Sequence, residues 1–149
     1  MQVYDDESAA RVAKHRQMRA GKGFETVECP FGLPEGQDLC RFDTTLLECL
    51  SNLTANIMFS WEKSPAQTVP LVVERVRKIC RSARNTVIVT NEVFSDDGDY
   101  DALTQGYIAV LGQINRAVAL EADTVIESVC GIPVIYKGKE VLQTYEGLF

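Results

Sequence analysis

The chain has 149 residues, of which 46% are hydrophobic and 24% charged, and its formal net charge is −6. These proportions are typical of a single globular domain and exclude a disordered chain. No apolar run approaches the roughly 20 residues that cross a bilayer, and the N-terminal segment lacks the apolar core of a secretion signal. We therefore expect a cytoplasmic protein with no membrane span, and the acidic balance argues against nucleic acid as a partner.

The five cysteines are odd in number and form no C-x-x-C pair. A disulfide framework or a zinc site would need these scattered thiols, together with the single histidine, to converge. We predict no metal site and expect mostly buried, reduced thiols that act as small hydrophobic side chains.

The first predicted element is a short basic helix from about Asp5 to Met18, with acids in its first turn and cations in its last. Arg11, His15 and Arg19 follow one another at intervals of four residues and can share one face. Five basic residues and no acidic one lie between Arg11 and Lys22. Such a compact basic island suits a small polyphosphate ligand better than a long polyanion.

Strands and helices alternate along the rest of the chain. The pattern predicts strands at 25–29, 44–47, 86–90, 124–129 and 132–136, with helices from 50 to about 58, 69 to 83 and 103 to 118. Strands 44–47 and 86–90 are apolar or β-branched and are expected to be buried, the latter on both faces. This order predicts an α/β fold with a doubly wound, mostly parallel sheet, spanning residues 1–137 and followed by a peripheral tail at 138–149.

Ligands of such sheets bind beyond the carboxyl ends of the strands, where two acids stand, Glu48 and Glu92. Glu48 has two interpretations of equal weight. It binds a ribose hydroxyl, a base edge or Mg²⁺, or it caps the helix that follows. The acidic run at 95–99 lacks the ligand spacing of a calcium-binding loop and is expected to be an exposed turn. Trp61 is expected to serve packing rather than ligand stacking.

His15 also has two interpretations. A neutral imidazole is a good nucleophile toward phosphorus, and cations beside it favour the neutral form while binding the phosphates under attack. In that case Arg11 is a phosphate contact. Alternatively, the helix is a solvated basic surface with an incidental histidine, and spacing alone favours this second interpretation.

The sequence motifs, taken together, favour the first interpretation, in which His15 is a nucleophile. In order they are DDESAARVAKH at 5–15, LLECLSNLTAN at 46–56, VTNEV at 89–93, LGQIN at 111–115 and VCGIP at 129–133. This series resembles the bifunctional adenosylcobinamide kinase/adenosylcobinamide-phosphate guanylyltransferase family of cobalamin biosynthesis, over roughly residues 1–137. The resemblance implies a RecA-like fold and a homotrimer. It also implies two reactions: phosphorylation of the corrinoid adenosylcobinamide by ATP or GTP with Mg²⁺, then transfer of GMP from GTP through a histidine.

The family pattern carries over to individual positions. His15 ends the helical motif and matches the family's GMP-carrying histidine. The resemblance implies nucleotide contacts at Gln2, Val3 and Tyr4 before the helix, at Arg19, Ala20, Gly21 and Lys22 after it, and at Glu48.

Two departures from the family pattern stand out. No G-x-x-x-x-G-K-[ST] phosphate loop occurs in the chain, so the expected fold lacks the family's first strand, phosphate loop and first helix. The glycine-rich turn after the family's NEVG motif is replaced by Phe94–Asp99. The alternative to the enzyme is therefore an inactive or binding-only domain.

Overall fold

A computed structural model describes residues 10, 13–14, 16–18, 20–95 and 98–140. Its helices are α1 (Leu50–Ala55), α2 (Pro65–Arg81) and α3 (Ala102–Glu121), and a π-helical turn (Asn56–Ser60) continues α1. Its strands are β1 (Thr44–Glu48), β2 (Asn85–Val89), β3 (Val125–Val129) and β4 (Ile132–Lys137). The three central predicted helices are confirmed, with α2 beginning four residues before its predicted start.

Local chemistry sets where the long helices begin. Pro65 occupies the first position of α2, where a missing N–H costs nothing, and the backbone N–H of Ser64 donates to Gln67 Oε1 at 3.2 Å. At the start of α3, Asp101 Oδ1 accepts the Thr104 backbone N–H at 2.8 Å. This hydrogen bond lowers the pKa of the Asp101 carboxyl.

The main core lies where the three helices meet, and Leu47 of β1 and Ile88 of β2 pack against it from the sheet. α2 and α3 supply the largest helix contact, because their apolar residues recur every three or four positions and form one stripe on each helix. The buried members of this core are Leu50, Leu53, Ile57, Met58, Val72, Val73, Val76, Val110 and Ile114.

β1 and β2 pair in parallel, with Thr44 opposite Asn85 and Glu48 opposite Val89. Burial alternates along both strands, so one face packs on the helices and the other is open. The prediction that 86–90 is buried on both faces is therefore wrong, and Val87 is 50% exposed. Among the described residues no helix or strand covers that second face, although alternate apolar side chains occupy it.

β3 and β4 form a separate antiparallel hairpin closed by Cys130 and Gly131, both at positive φ. The hairpin is tied to α3 by Lys137, whose Nζ donates to the carbonyl oxygens of Ala119 (3.4 Å) and Leu120 (3.0 Å). The prediction of one mostly parallel sheet thus holds only for β1 and β2. Within the described part of the chain, β2 and β3 share no ladder despite the helical connection between them.

Two further predictions are wrong. Residues 25–29 are not a strand, because no neighbouring strand in the described ranges pairs with them. The cysteines are free thiols, as expected, but they are not buried. Three are exposed and two are half-buried: Cys40, Cys80 and Cys130 in the first group, Cys29 and Cys49 in the second.

Other predictions fall partly within the described residues. Residues 10, 13–14 and 16–18 are helical, which agrees with the predicted basic helix. Trp61 stacks on Phe31 with ring centroids 5.0 Å apart, which confirms its packing role. Asp96, Asp97 and residues 141–149 lie outside the described residues. No helix in the described ranges is long and apolar enough to cross a membrane.

Replacing Ile114 with alanine is expected to lower the free energy of unfolding by about 2–5 kcal/mol, because the side chain is fully buried in the core and its removal leaves a cavity. Leu120→Ala is the matched control, since Leu120 on the same helix is 72% exposed. Urea unfolding followed by circular dichroism measures both variants. Equal losses would contradict the assignment of the core.

Asp101→Ala is expected to lower the melting temperature at neutral pH, because the Thr104 backbone N–H in the first turn of α3 then lacks its side-chain acceptor. The pKa of Asp101 is lowered in the folded state, so its contribution is full above the unfolded-state pKa of about 3.9 and is lost as pH falls through the folded value. Melting curves of both proteins between pH 7 and pH 2 should therefore converge at the acid end. A constant difference would contradict the charged cap.

Candidate functional site

A groove of about 490 Å³ runs along the whole of β1 and reaches the carboxyl ends of β1 and β2. One wall is the segment 23–29, which has no regular secondary structure, and the other is made by β1, the start of α1 and the end of β2. Its lining residues are Gly23, Phe24, Glu25, Thr26, Val27, Glu28, Cys29, Gly32, Leu33, Leu39, Phe42, Thr44, Thr45, Leu46, Leu47, Glu48, Cys49, Asn52, Ile79, Val89 and Asn91. The end of the groove at Glu48, Val89 and Asn91 is the edge at which parallel α/β sheets bind their ligands.

Glu48 is the last residue of β1 and lines the groove. The N-cap of α1 is Cys49, so the interpretation of Glu48 as the helix cap is wrong and the ligand interpretation remains. Asn52 follows in the first turn of α1 and lines the same groove. A carboxylate and a carboxamide therefore stand together at the end of the first strand.

The end of the second strand contributes Asn91 rather than Glu92. Glu92 Oε1 accepts hydrogen bonds from the Phe94 backbone N–H (2.8 Å) and the Ser95 hydroxyl (3.1 Å), so this carboxylate organises the following turn. Of the two acids, only Glu48 lines the groove, so its role as a ligand contact stays a prediction and Glu92 is no longer a candidate. Thr90, between Val89 and Asn91, donates its hydroxyl proton to Asn115 Oδ1 at 2.9 Å, which anchors this strand end to α3.

Two ion pairs link the wall segment 23–29 to the rest of the chain. Arg16, in the basic segment, contacts Glu28 at 3.1 Å, and Arg41, just before β1, contacts Glu25. Both pairs are largely exposed, and pairs of this kind add little to stability. Their consequence is geometric, because the Arg16–Glu28 pair connects the basic segment to the wall of the groove.

The groove is acidic and apolar. Its lining includes three carboxylates, from Glu25, Glu28 and Glu48, and no lysine or arginine. Two of these carboxylates are paired with arginines that lie outside the lining. Exposed apolar side chains complete the surface, namely Phe24, Val27, Leu46 and Val89.

Behind Glu48, a small polar cluster fixes the start of α1. The Cys49 thiol lies 2.9 Å from the Ser51 hydroxyl, and the Tyr107 hydroxyl donates to the Ser51 carbonyl oxygen at 3.1 Å. Burial raises the pKa of Tyr107, which therefore stays a protonated donor. The Thr45 hydroxyl is buried beside the groove with no hydrogen-bond partner among the described residues.

The remaining predicted site residues divide into two groups. Ala20, Gly21 and Lys22 form an exposed turn that leads directly into the wall at Gly23, with Gly21 at φ +75°. They adjoin the groove without lining it. His15, together with Gln2, Val3, Tyr4, Arg11 and Arg19, lies outside the described residues, so these assignments stay predictions.

Sequence reasoning missed Asn52, Asn91 and the whole wall segment. Asn91 had a usable signal, since it stands two residues beyond Val89, the register partner of Glu48. Asn52 lies in the first turn of the helix that follows Glu48, so its nearness to the strand end could have been inferred. The wall had no such signal, because its position depends on ion pairs to distant residues.

Comparisons with known proteins place the chain among named relatives. The family model for cobinamide kinase / cobinamide phosphate guanyltransferase matches residues 1–135. The bifunctional adenosylcobalamin biosynthesis protein CobU of Salmonella typhimurium LT2 is 31% identical, over 91% of this chain and 82% of that protein. The protein of the same name from Escherichia coli K12 is 30% identical over the same shares.

The thiol of Cys29 supplies a test of the wall. Burial, and secondarily the Glu28 carboxylate, raises the pKa of this thiol. Since the thiolate is the reactive form, Cys29 should be alkylated by iodoacetamide at pH 8 more slowly than the exposed Cys80 and Cys130. Glu28→Gln should speed its alkylation, and Glu25→Gln is the matched control. Peptide mass spectrometry measures each rate, and equal rates for both variants would contradict the assigned neighbour.

Proposed function

Because the chain belongs to the cobinamide kinase and cobinamide phosphate guanyltransferase family, we propose that it acts in adenosylcobalamin biosynthesis as a nucleotide-dependent transferase. Its acceptor is the corrinoid adenosylcobinamide, first as the free alcohol and then as its phosphate. Both reactions take a nucleoside triphosphate, ATP or GTP for the first and GTP for the second.

The observation that carries the proposal is the Arg16–Glu28 contact. It joins the basic segment, which contains His15, to the groove at the carboxyl ends of β1 and β2. A nucleotide can therefore lie with its uncharged part in the groove and its phosphates toward Lys14, Arg16 and Lys22. This is the electrostatic arrangement that phosphoryl and nucleotidyl transfer require.

The GMP transfer takes two displacements at phosphorus. In the first, a neutral His15 ring nitrogen attacks the α-phosphorus of GTP, a P–N bond forms, and pyrophosphate leaves with the electrons of the broken P–O bond. In the second, a phosphate oxygen of adenosylcobinamide phosphate attacks the same phosphorus, and the P–N bond breaks. His15 is regenerated, and the product carries a new pyrophosphate linkage.

Basic residues supply electrostatic stabilisation in both steps. Arg11 and Arg19 are assigned to the phosphates, because cations near the imidazole keep it neutral and offset charge on the phosphoryl oxygens. Gln2, Val3, Tyr4, Ala20, Gly21 and Lys22 are assigned to nucleotide contacts flanking the helix. The same proposal includes the assembly of three copies of the chain into a homotrimer.

Mg²⁺ enters with the triphosphate. The described residues contain no group of three or more His, Cys, Asp or Glu side chains placed to hold an ion. This fits the usual behaviour of Mg²⁺, which binds through substrate phosphates and one or two carboxylates. Glu48 is the carboxylate in the groove that could serve, and Mg²⁺ there would neutralise phosphate charge.

A second candidate is a binding-only domain. It is favoured by one observation, the absence of a G-x-x-x-x-G-K-[ST] sequence from these 149 residues. Such a loop supplies the backbone N–H groups and the lysine that hold the outer phosphates. Without that contribution the chain would bind a nucleotide or a corrinoid but not turn it over.

Incubation with α-labelled GTP and Mg²⁺ distinguishes the two candidates. The transferase should acquire label in an acid-labile, base-stable bond, as expected of a phosphoramidate. His15→Asn should remove the label, and Arg116→Ala, an exposed position on α3, should retain it.

Each outcome tests a different part of the proposal. Label that persists in His15→Asn would contradict the assigned nucleophile. Binding of GTP without any covalent label would favour the binding-only domain. Absence of both label and GTP binding would contradict the transferase and a nucleotide-binding domain, and would leave only a corrinoid-binding domain.

A further inference from the structure

We infer that Arg16 is a phosphate-binding residue and that the Glu28 carboxylate competes with phosphate for it. The inference rests on the proposed function and adds to it a contact within the chain that opposes binding of the triphosphate. Its structural basis is the ion pair in which Arg16 Nη2 donates to Glu28 Oε1 at 3.1 Å.

The described part of the basic segment offers three exposed cations, and Glu28 engages one of them. Lys14 and Lys22 form no ion pair or hydrogen bond with any residue in the described ranges, whereas Arg16 is paired. Glu28 thus neutralises part of the positive charge that the segment presents to an anionic ligand.

A guanidinium group binds phosphate and carboxylate by the same geometry. Its planar fork donates to two oxygens of either group. A triphosphate carries several negative charges where Glu28 carries one, so Coulomb attraction favours the phosphates once they are within reach. Arg16 can therefore exchange Glu28 for the ligand, and the free energy of the broken ion pair is subtracted from that of binding.

The ion pair can break without disturbing the core. The side chains of Arg16 and Glu28 are 62% and 48% exposed. The chain before Glu28 is also unpacked, because Gly21 and Gly23 have no atom within 4 Å of the position that a Cβ would occupy. Both partners can therefore change position at the cost of the ion pair alone.

Beyond Glu28 the chain is fixed, which keeps the carboxylate near Arg16. The side-chain N–H of Asn56 donates to the Pro30 carbonyl oxygen at 2.8 Å, and the Phe31 ring stacks on Trp61. Glu28 stands two residues before this anchor. A group tethered in this way has a high effective concentration, so it competes well with a dissolved anion.

The second ion pair of the wall segment supplies a matched control. Glu25 contacts Arg41, whose guanidinium also lies over the Phe42 ring at 4.5 Å from its centroid. Arg41 precedes β1 and lies outside the basic segment. Glu25→Gln therefore removes the same charge from the same wall segment and leaves the Arg16 ion pair in place.

Isothermal titration with inorganic tripolyphosphate at low ionic strength tests the inference, because this probe has no base or ribose to occupy the groove. Glu28→Gln should bind it about two- to fivefold more tightly than the unmodified chain, the range expected when an exposed ion pair no longer has to break. Glu25→Gln should give a clearly smaller gain. Arg16→Gln should weaken binding, and Glu28→Gln added to Arg16→Gln should give no further gain. All three residues are exposed, and the melting temperature of each variant reports that it is folded.

Several results would overturn the inference. Unchanged affinity in Glu28→Gln would exclude competition, and an equal gain in Glu25→Gln would assign the effect to the overall charge of the wall segment. A gain that persists beside Arg16→Gln would show that Glu28 acts through another group. Full affinity in Arg16→Gln, or no binding of tripolyphosphate by any variant, would exclude Arg16 as a phosphate contact. The proposed function is decided separately, by the label that GTP leaves on the chain.

Discussion

The five-residue parallel ladder between β1 and β2 is the constraint on which the site depends. Its register brings Glu48 opposite Val89, so the residues that follow both strands meet at one edge. Leu47 and Ile88 alternate with the open-face residues and anchor the ladder to the helical core. A shift of one residue would expose these two side chains and turn the groove face toward the helices. The burial of the core and the position of the site are therefore set by the same register.

The helices could be predicted from the sequence because their signals are local. The apolar spacing of α2 and α3 and the proline and acid at their starts lie within the elements themselves. The organisation of the sheets could not be predicted from the sequence, because the residues of a strand do not specify which strand it pairs with. Residues 25–29 have strand-like composition yet pair with nothing in the described ranges, and β2 looks like a doubly buried strand yet keeps one face open. Both errors come from inferring non-local burial from local composition.

The residues of the candidate site also divide into those with a local sequence signal and those without one. Glu48 could be predicted because an acid directly after a strand stands at the ligand-binding edge of the sheet. Glu92 carried the same signal and has a different role, since two donors within three residues satisfy its carboxylate. Asn52 and Asn91 are uncharged and were not predicted as site residues, although both line the groove. The wall segment is placed by Arg16 and Arg41, partners that no sequence spacing would have indicated.

The β3–β4 hairpin has a thermodynamic consequence for the rest of the molecule. An isolated two-stranded hairpin is marginally stable, and the ammonium group of Lys137 hydrogen-bonds this one to the C-terminal carbonyls of α3. Those carbonyls carry the negative end of the helix dipole, so the contact is electrostatic and weakens with ionic strength. The hairpin is thus a cooperative unit whose opening free energy is separate from that of the helical core. Salt can loosen it while the strand ends that form the groove keep their places.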